Sequence, residues 1–200
     1  MKRILIVENG KASVQIKKSS FYAYAVPIQS NEDFVTFLST TKKTHKNATH
    51  YCYAYRIQDL TNHTLEKMSD DGEPFGTAGI PLLSLLQNHC IANGAIVVVR
   101  FFGGIKLGKK GLYSAYLEAA KQSLNDARVE EFIPKEILDV TVQYTIFDLF
   151  EKICERFDSQ CIQVDYAEDV HVKIEVASKD KMALLEAFSQ ANITKYVIIR

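Results

Sequence analysis

Two dense motifs, separated by one short apolar segment, place the strongest limits on how this 200-residue chain folds. The first occupies residues 69–79 (SDDGEPFGTAG), and the second occupies residues 97–108 (VVVRFFGGIKLG). The second begins inside a continuous apolar run at residues 95–99, which is typical of a strand covered on both faces. Loops this rich in glycine and charge are rarely needed just to join two elements. We therefore expect both motifs to reach the same edge of a small layered domain and to form one surface site.

Hydrophobic periodicity predicts an α+β protein whose first domain, residues 1–132, combines strands with helices. The predicted order is strands, helix, strand, helix, strand, helix, with the helices at about residues 30–45, 81–90 and 109–126. Ser30 and Asp33 form a variant of the capping box at the start of the first helix. Residues 58–79 are predicted as one long loop, at whose end Thr77 caps the second helix.

A second domain is predicted for residues 138–200, beyond a linker at residues 133–135 (IPK). Its pattern is strand, helix, two alternating strands, helix and strand, with the first strand at residues 140–146. This βαββαβ succession is the ferredoxin-like order. No residue of this half is a candidate for chemistry.

The charge balance excludes a strongly basic DNA-binding domain. The chain carries 24 Lys and Arg against 24 Asp and Glu, but residues 1–137 have a net charge of +4 and residues 138–200 a net charge of −4. The apolar run near the N-terminus ends after four residues, which is too short for a signal peptide, and no stretch is long enough to cross a bilayer. The four cysteines follow no metal or redox spacing. These features predict a cytoplasmic protein with reduced thiols.

Three carboxylates lie within four residues of the first motif, at Asp70, Asp71 and Glu73. They suit a Mg²⁺ ion, which takes oxygen ligands and keeps some of its waters. They also suit loop architecture, because acidic side chains are stabilised near a helix N-terminus and because Gly72 and Gly76 permit positive φ. We expect architecture or partner binding rather than a dedicated metal site.

The second motif imitates a phosphate-binding P-loop. The pattern G-x₄-G-K at residues 103–109 follows a buried strand and opens a helix, but Lys110 stands where a P-loop needs Ser or Thr to hold Mg²⁺. This substitution argues against a nucleoside triphosphatase and leaves a less specific anion site. Free amides at the helix start would hold a phosphate, together with the basic side chains Arg100, Lys106, Lys109 and Lys110. Such a site suits an RNA backbone at least as well as a nucleotide.

Aromatic and histidine side chains flank both motifs. Phe102 near Arg100, and three tyrosines on one face of the strand at residues 50–57, suit stacking on unpaired bases. The tyrosine face also suits packing under a helix, and we expect core packing there. His50 has no Ser or acid partner at a telling spacing, so no catalytic set is predicted. It is the best single candidate for a polar role near the site.

These motifs make the chain resemble the YigZ/IMPACT family. The resemblance rests on residues 48–55 (ATHYCYAY), 69–79 and 100–108 (RFFGGIKLG), and residues 17–21 (KKSSF) fit the opening signature of the family. It implies an N-terminal domain of the kind seen in domain IV of elongation factor G and a ferredoxin-like C-terminal domain of the domain V kind. It also implies a role in translation, because the eukaryotic relatives are implicated in regulating translation under amino-acid starvation.

The chain departs from the usual pattern of that family in two places. Lys109 and Lys110 stand where the family usually has Thr-Gly, and Phe75 stands where it often has Ser. The added lysines place positive charge at a helix start, which favours an anionic partner.

The function predicted from the sequence is a translation-associated regulatory factor that binds RNA, the ribosome or a protein of the translation apparatus. We expect no DNA specificity, membrane association, metal, cofactor or catalytic residue. The alternative is an enzyme acting on a small phosphorylated or amino-acid-derived substrate at the same loops. The predicted binding residues are His50, Asp70, Asp71, Glu73, Gly76, Thr77, Arg100, Phe102, Gly103, Gly104, Lys106, Gly108, Lys109 and Lys110.

Overall fold

Helices and strands mix along the whole chain, as expected for the α+β class. The computed structural model describes residues 3–58, 63–193 and 195–199, and the chain divides into two units, Met1–Phe132 and Ile133–Arg200. The elements of the first unit are β1 (Ile4–Glu8), β2 (Gly10–Ile16), β3 (Ser19–Pro27), α1 (Asn31–Thr44), β4 (His50–Gln58), β5 (Thr64–Ser69), α2 (Gly79–Asn88), β6 (Gly94–Phe101), α3 (Gly108–Asp126) and β7 (Arg128–Glu131).

The first unit is built on a five-stranded antiparallel sheet with the order β2-β3-β6-β4-β5. β6 lies at the centre, and its residues 94–100 are all buried, which confirms the prediction from the apolar run. Helices α2 and α3 cover one face of the sheet, where Leu82 and Tyr116 pack in one cluster with Phe21 and Val98. The central strand is therefore the element from which both motifs are positioned.

Helix α1 covers the other face of the sheet. Its N-terminus carries the predicted capping box, in which Ser30 and Asp33 each bond to the backbone of the other. Phe34 of α1 packs on Tyr53 and Tyr55 of β4, with ring centroids 4.7 and 4.4 Å apart. The tyrosine face of β4 is therefore core packing, as expected.

Two strands differ from the prediction. β5 lies within the stretch predicted as one long loop and pairs with β4 at the edge of the sheet. Its side chains are mostly exposed, so it lacks the apolar alternation by which a strand is recognised. β7 is exposed throughout and pairs with β1 in a separate two-stranded sheet. Residues 59–62 of the predicted loop lie outside the described residues.

The second unit has the ferredoxin-like arrangement. Its elements are β8 (Lys135–Val142), α4 (Phe147–Arg156), β9 (Gln160–Tyr166), β10 (Val170–Ala177), α5 (Lys181–Gln190) and β11 (Lys195–Ile199). The strands are antiparallel in the order β11-β8-β10-β9, and Leu138, Phe150 and Phe188 share one buried core. β8 begins inside the predicted linker and ends earlier than predicted, because a short 3₁₀ turn occupies Tyr144–Ile146.

The longest described helix, α3, has 19 residues and carries charged side chains along its length. Within the described ranges, no helix has both the length and the apolar character required to cross a lipid bilayer.

Candidate functional site

The two motifs meet in space, as predicted. Arg100, near the end of β6, donates from Nη1 to Oε1 of Glu73 at 2.5 Å. Only 5% of the Arg100 side chain and 3% of the Glu73 side chain are exposed. This buried ion pair joins the acidic loop (residues 69–79) to the glycine loop (residues 101–108), and removing either partner would leave an uncompensated buried charge.

This ion pair is part of a buried polar cluster of five side chains. The members of the cluster are Ser19, Cys52, Glu73, Arg100 and Tyr116. Tyr116 of α3 donates its hydroxyl to Glu73 Oε1 at 2.8 Å, and Cys52 Sγ lies 3.3 Å from the Tyr116 hydroxyl oxygen. Burial raises the pKa of the Cys52 thiol and the pKa of the Tyr116 hydroxyl, so both groups are neutral at physiological pH. The cluster therefore presents no thiolate or phenolate that would act as a nucleophile.

Ser19 brings a third loop to the cluster. Its hydroxyl oxygen accepts from Arg100 Nη2 at 3.3 Å and from the Gly103 amide at 3.2 Å. Ser19 directly follows the two-residue turn between β2 and β3, Lys17 and Lys18, which we call the lysine turn. A Cβ atom at position 103 would lie 1.8 Å from the Lys18 carbonyl oxygen, so only glycine lets the glycine loop approach the lysine turn this closely.

The lysine turn has an unfavourable backbone. Lys17 and Lys18 have φ of +44° and +68°, the pattern of a type I′ hairpin turn, which normally selects Asn-Gly. The left-handed conformation costs a residue with a Cβ atom about 1–2 kcal/mol. Both lysines are exposed and add two positive charges to the loop surface. Sequence reasoning did not include them among the binding residues, although the KKSSF stretch was recognised as part of the family signature.

Asp70 holds the acidic loop onto α2. Its Oδ1 accepts from the amides of Ala78 and Gly79 at 2.9 and 2.8 Å, and its Oδ2 accepts from the Gly76 amide at 2.9 Å. Burial opposes the ionisation of this carboxyl, but the three amide bonds outweigh burial and lower its pKa. Asp70 is therefore the anion that satisfies the start of α2.

The prediction that Thr77 caps α2 is wrong. The N-cap residue is Ala78, which makes no side-chain cap bond, and the Thr77 hydroxyl donates to the Pro74 carbonyl oxygen at 2.7 Å. The Asp70 carboxylate reaches the same helix from eight positions earlier. Local capping patterns do not describe such a contact, because it depends on how the whole loop folds back.

Asp71 and His50 lie on the outer side of the cluster. Asp71 Oδ2 accepts from the Tyr51 amide at 2.6 Å, and His50 Nδ1 lies 2.8 Å from the Asp71 carbonyl oxygen. Because a carbonyl oxygen only accepts, Nδ1 carries the proton, and in the neutral ring Nε2 is the bare nitrogen, 3.7 Å from Glu73 Oε1. The three carboxylates of the acidic loop thus serve separate protein partners, which agrees with the architectural interpretation. Nowhere in the described ranges do three metal-ligating side chains converge.

Exposed lysines and apolar groups face outward from these loops, and Asp71 is exposed beside them. Lys106, Lys109 and Lys110 are exposed, and none of them forms an ion pair with an acid in the part of the chain that the structure describes. Phe102 is 45% exposed, and its ring centroid lies 5.3 Å from the Arg100 guanidinium carbon. The outward surface is therefore positive and partly aromatic.

Three of the four glycines among the predicted residues shape the loop backbone through positive φ. Gly76, Gly104 and Gly108 adopt φ of +76°, +84° and +71°. They position their neighbours and offer a partner no side chain.

An open groove of about 450 Å³ lies between the acidic loop and α3. Its lining includes Phe75, Thr77, Lys109, Lys110 and Tyr113, and we call it the aromatic–lysine groove. Phe75 is 85% exposed and Tyr113 is 39% exposed. Sequence reasoning omitted both aromatic residues from the site. Phe75 was visible as a departure from the family pattern, but nothing in the sequence placed Tyr113 beside it.

Comparison with known proteins supports the family resemblance. The Impact N-terminal domain family matches residues 17–124. The IMPACT family member YvyE of Bacillus subtilis is 34% identical over 90% of this chain and 82% of its own length. An IMPACT family member of Haemophilus influenzae is 33% identical over 88% of this chain and 83% of its own. A crystal structure of a hypothetical protein, 24% identical, superposes with a TM-score of 0.67 over 100% of this chain and 98% of that chain, and so has the same fold.

Proposed function

The chain belongs to the IMPACT family, and from this premise we propose that it is a cytoplasmic, translation-associated regulatory factor that acts by binding. The family resemblance implies the link to translation. The three loops supply a surface on which RNA, the ribosome or a protein of the translation apparatus would dock. The buried predicted residues serve as the scaffold of this surface, and the exposed ones serve as its contacts.

One observation carries this proposal: the polar groups at the loops divide into a closed interior and an open exterior. Inside, the side chains of the buried polar cluster bond mainly to one another: Arg100 and Tyr116 both donate to Glu73, and among the described residues only Arg100 Nε of the cluster is left without a hydrogen-bond partner. Outside, exposed lysines without an acidic partner among the described residues lie beside exposed apolar side chains. Free positive charge next to apolar area attracts an anionic or amphipathic macromolecule.

The alternative, an enzyme acting on a small substrate, needs a reactive group that the substrate reaches. Glu73 and Arg100 are buried and bonded to each other, and the Cys52 thiol is buried among them. The side chain of His50 is 19% exposed, and its Nε2 lies 3.7 Å from Glu73 Oε1. A single imidazole with an internal hydrogen bond does not make a catalytic set, so we prefer binding.

Sedimentation of the tagged full-length chain with ribosomes, at low and at high salt, tests this proposal. We expect the chain to sediment with ribosomes at low salt and to be released at high salt. The affinity should be modest, because a net charge of +4 on residues 1–137 allows only a few phosphate contacts.

A matched variant separates specific from general electrostatic binding. Lys43→Gln/Lys46→Gln removes two exposed charges at the end of α1 and just beyond it, outside the three loops, and should sediment like the wild type. Absence of the wild-type chain from the ribosome pellet at low salt would contradict the ribosome as its partner. If the amount of chain in the pellet does not change with salt, the contact is made by the apolar side chains and the partner is a protein.

A further inference from the structure

We propose that the aromatic–lysine groove binds an unpaired nucleotide of a single-stranded RNA, with the base on its aromatic side chains and the phosphate at its lysines. This inference rests on the proposed function and names the chemistry of its partner. It assigns a role to Phe75 and Tyr113, which belong to neither the buried polar cluster nor the binding residues predicted from the sequence.

The aromatic side chains supply faces on which a base would stack. Phe75 is 85% exposed, so its ring is one of the most accessible apolar groups of the chain and contributes little to the core. Tyr113, on the first turns of α3, lines the same groove and is 39% exposed. Every base has a π face, and stacking on exposed aromatic rings is the usual basis of single-strand binding.

The charges of the groove favour an anion. Lys109 and Lys110 line it, and none of the described carboxylates does. The nearby acids are already engaged, since Asp70 accepts from three amides and Glu73 pairs with Arg100. The two lysines lie in the first turn of α3, which contains no acidic residue and where the helix dipole opposes cations. A bound phosphate would offset the repulsion between the two lysines and their unfavourable interaction with the helix dipole.

The dimensions favour a nucleotide over a protein surface. A volume of about 450 Å³ falls in the range of clefts that hold one small ligand. An acidic peptide would neutralise the lysines but would leave two aromatic faces without a planar partner. The exposed lysines of the lysine turn and Lys106 of the glycine loop offer further positive charge for the flanking phosphates.

Fluorescence anisotropy with the full chain and a short labelled oligouridylate tests the proposal. Phe75→Ser should weaken binding by about five-fold or more, the loss expected when one stacked base is released. Lys109→Gln/Lys110→Gln should also weaken binding, and should reduce the slope of log affinity against log salt by about 1.4, since each single-strand phosphate contact contributes about 0.7. All three positions are exposed, and Gln is a good helix former, so the fold is retained.

Two matched variants serve as controls. Tyr166→Ser removes an aromatic side chain that is 67% exposed in the second unit, and Lys43→Gln/Lys46→Gln removes the same charge from the first unit at positions that do not line the groove. Both should bind the oligonucleotide like the wild type. If they weaken binding as much as the groove variants, or if oligoglutamate competes as well as RNA, the proposal is overturned.

The remaining outcomes separate this proposal from the proposed function. A chain that sediments with ribosomes but does not bind the oligonucleotide would overturn the groove as an RNA site and leave the proposed function standing. A chain whose oligonucleotide binding depends on Phe75 but which never sediments with ribosomes would support the groove and RNA as the partner, and would contradict the ribosome as the partner.

Discussion

Replacing Glu73 by Gln should show how strongly the two motifs depend on their ion pair. The substitution keeps the size of the side chain but leaves the Arg100 guanidinium, 5% exposed, without its anion. Breaking a buried pair by removing one partner costs about 3–5 kcal/mol. No other group that the structure describes offsets the positive charge of Arg100. Its Nε has no hydrogen-bond partner among the described residues, and the other contacts of the guanidinium are with the Ser19 hydroxyl and two aromatic rings.

The double variant provides the decisive comparison. Arg100→Met alone should cost a similar amount, because it leaves the Glu73 carboxylate buried without a cation. Glu73→Gln/Arg100→Met removes both charges, so it should cost clearly less than the sum of the two single variants. The difference between the sum and the double variant measures the coupling of the two loops.

Urea denaturation followed by far-ultraviolet circular dichroism measures these losses, since the chain has no tryptophan to report on unfolding. Hydrogen exchange of peptides from β6 assigns the loss to the first unit. Glu66→Gln is the control: its pair with Arg56 spans the same sheet, but the two side chains are 30% and 17% exposed, and the loss should stay below about 1 kcal/mol. The reasoning is refuted if Glu73→Gln costs no more than Glu66→Gln, or if the two single losses simply add.

Three further predictions concern single positions. Gly103→Ala should destabilise the chain by about 3 kcal/mol or more, because its Cβ atom would lie 1.8 Å from the backbone of the lysine turn. Gly104→Ala should cost about 1 kcal/mol, because its Cβ atom would have no neighbour within 4 Å but φ is +84°. Thermal melting compares the two variants, and equal losses of stability would contradict the close approach at Gly103. Asp70→Ala should cost about 1–2 kcal/mol at neutral pH by removing the anion that satisfies α2. The folded protein lowers the Asp70 pKa, so this stabilisation is complete above the unfolded pKa of about 3.9 and is lost as pH falls through the folded pKa. The difference in unfolding free energy between the wild type and Asp70→Ala should therefore narrow below about pH 4. A difference that is constant with pH would contradict this reasoning. Timed alkylation with mass spectrometry should modify the exposed Cys161 first and Cys52 last, because burial shields the Cys52 thiol and raises its pKa; early modification of Cys52 would contradict the closed cluster.

Local sequence patterns predict most of the helices and strands, but not β5 and β7, whose side chains show no clear apolar pattern. The apolar run at residues 95–99 has few alternatives to a central strand, and the Ser30 capping box is complete within four residues. β5 and β7 have mainly exposed side chains and exist because a neighbouring strand offers hydrogen bonds. A pattern of apolar residues cannot indicate a strand that buries almost none.

Sequence patterns alone predict the two-part α+β organisation, the buried central strand and one shared site for the acidic and glycine motifs. These follow from periodicity and composition over short stretches, where each residue constrains its near neighbours. The residues around the ion pair could not be predicted, because they come together only through tertiary contacts. Arg100 meets Ser19 across 81 positions and Cys52 meets Tyr116 across 64, because the order of strands in the sheet and the helices packed on it bring distant segments together. The same packing separates the buried Glu73 from the exposed Lys109 and places Tyr113 beside Phe75, and no local pattern contains that information because burial is a property of the assembled fold.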